Sequence, residues 1–259
     1  MGRLDISDNV KELAGRAVRD AEWRFRAIDE IAQLNTEKVL SAFQRHRVSD
    51  SLFSGTTGYG YDDKGRDTLD RVFADVMGMP SALVRAGFVG GTHAITAALF
   101  AALRPGQTLL SATGLPYDTL HGAIGIAGEH PGSLKDYRIG YKQVELLSDG
   151  SPDHEAIKAA ASRKKTGAVF VQRSRGYSSR RALTVREIGE ISKTVHKVDA
   201  GITVIVDNSY GEFTEKYEPG DLGADLIAGS LIKNPGGGSP RRAGTSRAGK
   251  RLSKRLRPG

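Results

Sequence analysis

The chain has 259 residues, 39% of them apolar, enough for one large α/β domain or two modest ones around a real core. It contains no cysteine, which excludes disulfides, thiolate catalysis and cysteine-based metal sites. No apolar run approaches the roughly 20 residues that span a bilayer, so no membrane partner is expected. The net charge of +8 is concentrated at one end. Residues 239–259 hold eight Lys and Arg and no acid, which leaves 30 basic residues to balance the 30 acidic ones in the body. A neutral body with a basic end is not a basic protein, and nucleic acid is not an expected partner. The start, Met1 to Ile6, has no signal-peptide core, so a cytoplasmic location is expected.

In chain order, residues 7–47 read as helix, with Ser7 or Asp8 as its cap and Leu13, Ala17, Ala21, Phe25, Ile28, Ile31 and Leu34 at near-helical spacing. Residues 54–65 carry four glycines and read as a loop, and 66–77 as a short amphipathic helix. Beyond them short apolar strands are predicted at 82–85, 108–112, 168–172, 202–206 and 225–228. Helices predicted at 92–103, 118–126, 153–162 and 184–198 separate most of these strands. Apolar, β-branched strands joined by helices predict an α/β fold of three layers, a mostly parallel sheet covered on both faces. Ligands of such sheets bind at the carboxyl ends of the strands, so chemistry is sought in the loops that follow them.

Four loops qualify. Val89-Gly90-Gly91-Thr92-His93 leads into an apolar helix, and glycines there let backbone amides approach an anion; a tight turn without ligand explains it equally well. Thr113-Gly114-Leu115-Pro116-Tyr117-Asp118 offers Tyr117 as a face for a flat ring, or as a packed loop tyrosine. Val206-Asp207-Asn208-Ser209-Tyr210 ends the most strand-like run in the chain. A carboxylate at the end of a buried strand calls for a cation such as a protonated pyridine nitrogen; the plainer reading is an Asp that caps the next turn. Ala228-Gly229-Ser230-Leu231-Ile232-Lys233-Asn234-Pro235-Gly236 sets a lysine among apolar and small residues, where desolvation leaves free amine to attack an aldehyde. Ser230 could donate to a phosphate from the same turn, and a surface lysine at a strand end is the ordinary alternative.

The order of parts, glycine loop, aromatic, strand-end Asp and then Lys233, is that of fold-type I pyridoxal-phosphate (PLP) enzymes. The wording is more specific still. Gly91-Thr-His-Ala-Ile, Leu103-Arg-Pro-Gly, Pro116-Tyr-Asp-Thr-Leu, Gln172-Arg-Ser-Arg-Gly-Tyr-Ser, Val206-Asp-Asn-Ser-Tyr-Gly-Glu-Phe and Gly229-Ser-Leu-Ile-Lys-Asn-Pro-Gly-Gly-Gly closely resemble the methionine γ-lyase-like aluminium resistance proteins. These belong to the Cys/Met-metabolism group of PLP enzymes, and the resemblance runs from about residue 10 to 238. It implies PLP as cofactor, Lys233 as the lysine that carries it and Asp207 as the partner of its ring nitrogen. It implies Gly91, Thr92 and Ser230 at the phosphate and Tyr117 stacked on the ring. Tyr59 lies where related lyases reach into a neighbouring subunit's phosphate site, although the arginine that follows there is Tyr61 here. Arg173 and Arg175 resemble site-facing residues of the subfamily, with a solvated basic turn as the alternative. No metal ligands are expected.

The resemblance further implies carbon–sulfur β- or γ-elimination on a small sulfur amino acid, by a homo-oligomer. Another PLP reaction, transamination or racemisation, is the alternative, and a non-enzymatic nucleic-acid binder with a basic tail is the third reading. Family members continue after Pro-Gly-Gly-Gly with a segment like Leu-Ala-Pro-Thr-Gly-Gly-Tyr-Ile-Ala-Gly and then a small C-terminal domain. Read one base out of phase in GC-rich codons, that segment becomes Ser-Pro-Arg-Arg-Ala-Gly-Thr-Ser-Arg-Ala, the wording of residues 239–248. The expected organisation is therefore a helical arm over 1–55, an incomplete PLP-binding large domain over 56–238 and a disordered, out-of-frame basic tail over 239–259. The small domain would be missing and activity impaired or absent.

Overall fold

The structure is a computed structural model that describes residues 6–56, 63–126, 128 and 131–236, together with the backbone of a strand at 244–248. Helices α1 (Asp8–Arg45) and α2 (Lys64–Val76) precede strand β1 (Ser81–Arg85). Helix α3 (Gly91–Ala102), strand β2 (Thr108–Ser111), helix α4 (Thr119–Ile124) and strand β3 (Gly140–Gln143) follow. The chain then alternates α5 (His154–Ala161), β4 (Thr166–Gln172), α6 (Val185–Val198), β5 (Thr203–Asp207), β6 (Leu226–Ser230) and β7 (Gly244–Ala248).

The strands form one sheet in the order β1-β7-β6-β5-β4-β2-β3. Strands β3, β2, β4, β5 and β6 run parallel. Alternation along the central strands divides the core. Val169, Val171, Val204 and Val206 face one layer with Ile188, Ile191 and Val195 of α6, Ile157 of α5 and Val72 of α2. Ala168, Phe170 and Ile205 face the other, with Ile95, Leu99 and Ala102 of α3 and Leu120 of α4. The three-layer α/β fold is thus as the sequence predicts, with boundaries displaced by a few residues.

Two elements depart from expectation. Strand β3 reads Gly-Tyr-Lys-Gln, too polar to register as a strand; it lies at the sheet edge, where one side and much of both faces meet water. The basic tail is not wholly without structure. Residues 244–248 pair antiparallel with both β1 and β6, Arg247 standing opposite Ala82 and Ile227 in register. The gap between two strands offers unpaired amides and carbonyls on either side, and filling it satisfies both rows. Its residues, Gly-Thr-Ser-Arg-Ala, are not the apolar run that a strand flanked on both sides normally carries.

Helix α1 is 38 residues long, about 57 Å at 1.5 Å per residue. Only its last third docks. Asn35 and Ala42 are buried, and Asn35 Nδ2 donates to the carbonyls of Phe213 and Glu215, both at 3.1 Å, so the helix end clamps the segment that follows β5.

Candidate active site

The carboxyl ends of β2, β4, β5 and β6 open on one side of the sheet, and the loops there converge. Asp207 ends β5 and is 2% exposed. Its Oδ1 accepts the Ser209 amide at 3.0 Å, and among the described residues no cation lies within ion-pair distance. Burial raises its carboxyl above the ordinary carboxylate value, while the Ser209 hydrogen bonds and the Lys233 charge pull the other way.

Tyr117 follows β2. Its amide donates to Gln172 Oε1 at 2.9 Å, and its hydroxyl lies 3.1 Å from Thr92 Oγ1. Burial and the neighbouring Asp207 charge push that hydroxyl up to about 12, so it stays protonated at neutral pH. Gly91 and Thr92 open α3, whose first amides have no intrahelical acceptors. A Cβ at Gly91 would stand 3.4 Å from Ser230 Cβ and 3.6 Å from Ser209 Oγ, so the helix start, the end of β6 and the turn after β5 meet at one point. Ser230 is fully buried at the end of β6. Lys233 follows three residues later, its Nζ 4.1 Å from the centroid of the Tyr210 ring.

The structure therefore brings together Gly91, Thr92, Tyr117, Asp207, Ser230 and Lys233. Tyr59 lies outside the described residues. The residues present fit PLP on two observations: a buried carboxylate without an ion-pair partner, suited to a ring cation, and a cradle of glycine, small hydroxyls and helix amides suited to a phosphate. Among the described residues there is no cluster of potential metal ligands.

Arg173 is not the solvated basic turn that its sequence context allows. It is 3% exposed, and all five of its donors are taken. Nε donates to Leu183 O, one terminal nitrogen to Asn208 Oδ1 (2.8 Å) and Gly211 O (2.7 Å), the other to Thr214 Oγ1 (3.1 Å) and Glu215 Oε1 (2.6 Å). Asn208 passes the network on to Glu218, which also accepts the Phe213 amide. This lattice holds Tyr210 and Phe213 at φ of +66° and +63°, a left-handed conformation that bulky residues rarely adopt. Asn234 Nδ2 adds bonds to the carbonyls of Tyr210 and Glu212, tying the lysine turn to the same frame. Tyr210 is thus a site residue that pattern reading misses. Its Asn-Ser-Tyr-Gly context announces a turn, but nothing in the sequence places its ring against a lysine 23 positions away. Arg175 is exposed; its carbonyl accepts from Ser178 Oγ at 2.7 Å, but its guanidinium, unlike that of Arg173, shows no partner among the described residues.

Comparison with known proteins gives a consistent result. A family model described as methionine gamma-lyase matches residues 10–253. The uncharacterized protein YnbB of Bacillus subtilis (strain 168) is 48% identical over 242 residues, covering 93% of this chain and 57% of that protein. The structure of a carbon-sulfur lyase involved in aluminum resistance from Clostridium novyi NT superposes with a TM-score of 0.91 at 45% identity, over 98% of this chain and 64% of that one. The PLP-dependent protein YhfS of Escherichia coli, 20% identical with a TM-score of 0.66 over 88% of this chain and 57% of its own, shares the fold alone. The chain thus spans about three-fifths of the length of these relatives.

Proposed function

The chain belongs to the methionine gamma-lyase family, and on that premise we propose that it is a PLP-dependent carbon–sulfur lyase acting on a small sulfur amino acid by β- or γ-elimination. The observation that carries the reading is the convergence of buried Asp207, Lys233, Tyr117 and the Gly91–Thr92–Ser230 cradle at the strand ends. PLP bound there would supply an electron sink for negative charge at the substrate's α-carbon. Lys233 would hold the cofactor through Nζ and would serve, at the same atom, as the base that takes up the substrate's α-proton. Asp207, ionised against the ring nitrogen, would keep the ring electron-poor. Tyr117, with a hydroxyl that stays protonated, acts as a stacking face and hydrogen-bond donor rather than as a base. The α3 amides, Thr92 and Ser230 would take the phosphate.

Reduced turnover and a homo-oligomeric state belong to the same proposal. The first is supported by the polar wording of β7 in a slot flanked by two strands. The second is supported by α1, whose apolar seam stays exposed at Val18, Phe25 and Ile28 among the described residues. No helix among the described residues is long and apolar enough to cross a membrane.

Incubation with PLP followed by borohydride reduction tests the assignment. We expect one covalent label on the peptide that contains Lys233 and none in Lys233→Ala. A label on a different lysine, or an undiminished label in the variant, refutes it. Release of keto acid and ammonia, without amino-group transfer, identifies elimination.

A further inference from the structure

A cleft of about 580 Å³ opens where the loops after β2 and β3 meet the stretch that precedes α6. Leu115, Glu145, Leu147, Asp149, Arg180 and Arg181 contribute to its walls, and none of the residues assigned to the cofactor does. Its rim is closely packed. Gly114, at φ +76°, lies so near the Glu145 carboxylate that a Cβ there would stand 2.6 Å from Oε2. The Asp149–Gly150 turn packs on Arg181, whose Cγ would lie 3.4 Å from a Cβ on Gly150.

The charges in this cleft are of opposite sign and unjoined. Arg181 is taken by Glu187. Arg180 is half-buried, and among the described residues it donates only to neutral main-chain oxygens, Arg181 O at 3.0 Å, Gln172 O at 2.9 Å and Ser174 O at 2.5 Å. Those bonds use three of the five donors of a guanidinium. Burial and the neighbouring Arg181 charge pull the group below its ordinary value, as expected of a cation that lacks an anion. Glu145 accepts from Gln143 Nε2. Asp149 accepts from the Ser151 hydroxyl at 2.6 Å and its amide at 2.9 Å, which hold its carboxyl below the usual range. Among the described residues, no ion pair joins Glu145 or Asp149 to a lysine or arginine.

Opposite charges kept apart in one cleft disfavour a simple anion, which the two carboxylates repel, and a simple cation, which Arg180 repels. They favour a dipolar ion. Leu115 and Leu147, 51% and 49% exposed, add apolar surface for a side chain. The volume falls within the roughly 300–1,000 Å³ of small-molecule sites.

We propose that this cleft is a second ligand site, which binds a free α-amino acid with an apolar side chain. Arg180 takes the carboxylate, Glu145 and Asp149 take the ammonium group, and Leu115 and Leu147 pack on the side chain. The site is separate from the one around Lys233 and stands whether or not that lysine carries PLP.

The test uses the full chain without added PLP and three ligands titrated by ligand-observed NMR. They are L-norleucine, hexanoate, which lacks its amine, and pentylamine, which lacks its carboxylate. We expect norleucine to bind roughly tenfold more tightly than either, the factor that about 1.4 kcal/mol gives. Arg180→Gln should remove the advantage over pentylamine, and Glu145→Gln combined with Asp149→Asn the advantage over hexanoate. Arg180 also braces the Gln172 and Ser174 carbonyls, so Arg180→Lys, which keeps the charge, should retain part of the preference. The exposed carboxylates carry the test alone if Arg180→Gln does not fold. No binding of norleucine, an affinity no better than that of its analogues, or a preference that survives the changes overturns the proposal. Lys233→Ala should bind norleucine as the parent does. Loss of binding in that variant places the ligand at Lys233 and overturns the proposal too.

Discussion

Asp207 and Arg173 are both charged and both nearly inaccessible, yet the fold treats them in opposite ways. Arg173 is enclosed with five acceptors, one of them the Glu215 carboxylate, so its charge is solvated by the protein. Asp207 has a backbone amide and little else, and burial raises its carboxyl. A carboxyl raised above its ordinary value of 3.8 contributes stability that is fully present below that value and is lost as pH rises through the raised one. In the cofactor-free protein, Asp207→Asn should therefore raise the thermal midpoint at neutral pH. The gain should fade as pH falls toward the ordinary carboxylate value, where the wild-type side chain is neutral too. Thermal scans across pH decide this, and a difference independent of pH would contradict the burial account. Asp207 and Lys233 were legible in the sequence because each follows a recognisable apolar strand. Tyr210 and the closed state of Arg173 were not, since both depend on groups from separate loops meeting in space.

Among the elements, α6 shows how local wording sets a boundary. Thr184 caps it, accepting the Glu187 amide at 3.2 Å, while Glu187 Oε2 takes the Thr184 amide at 2.9 Å, a reciprocal capping box. Thr184→Ala should cost about 1 kcal/mol of stability, read from denaturant midpoints at constant slope. The Arg181 side chain and these bonds hold Glu187 down to about 2. Its contribution is thus present above its ordinary value of 4.5 and lost as pH falls through about 2. The Thr184→Ala deficit should accordingly shrink in strong acid. Helices such as α6 carry their start signals in consecutive residues and were legible. Strand β3 was not, because an edge strand needs only one neighbour and no apolar code, and β7 was not, because its pairing is dictated by the gap between β1 and β6.

At the scale of the molecule, the long helix is the feature that the monomer leaves unexplained. Ala14, Val18, Ala21, Phe25, Ile28 and Ala32 follow a four-three spacing that continues through Asn35, Val39 and Ala42, the positions that dock on the body. One stripe is thus buried at its end and open along its length, with Val18 59%, Phe25 50% and Ile28 60% exposed. Phe25→Glu combined with Ile28→Glu should lower the oligomeric state in sedimentation without unfolding the body, because neither residue touches the sheet's core. An unchanged assembly would remove α1 from the interface.

By itself the sequence determined the alternation of strands and helices, the two-faced sheet and the positions of Asp207 and Lys233, because periodicity and strand-end residues are local properties. The tertiary structure alone decided the sheet order, the insertion of β7, the closure of Arg173 and the placing of Tyr210 against Lys233. Those outcomes depend on which loops share the carboxyl edge of the sheet. Residues distant in sequence meet there through hydrogen bonds and burial that no spacing along the chain encodes.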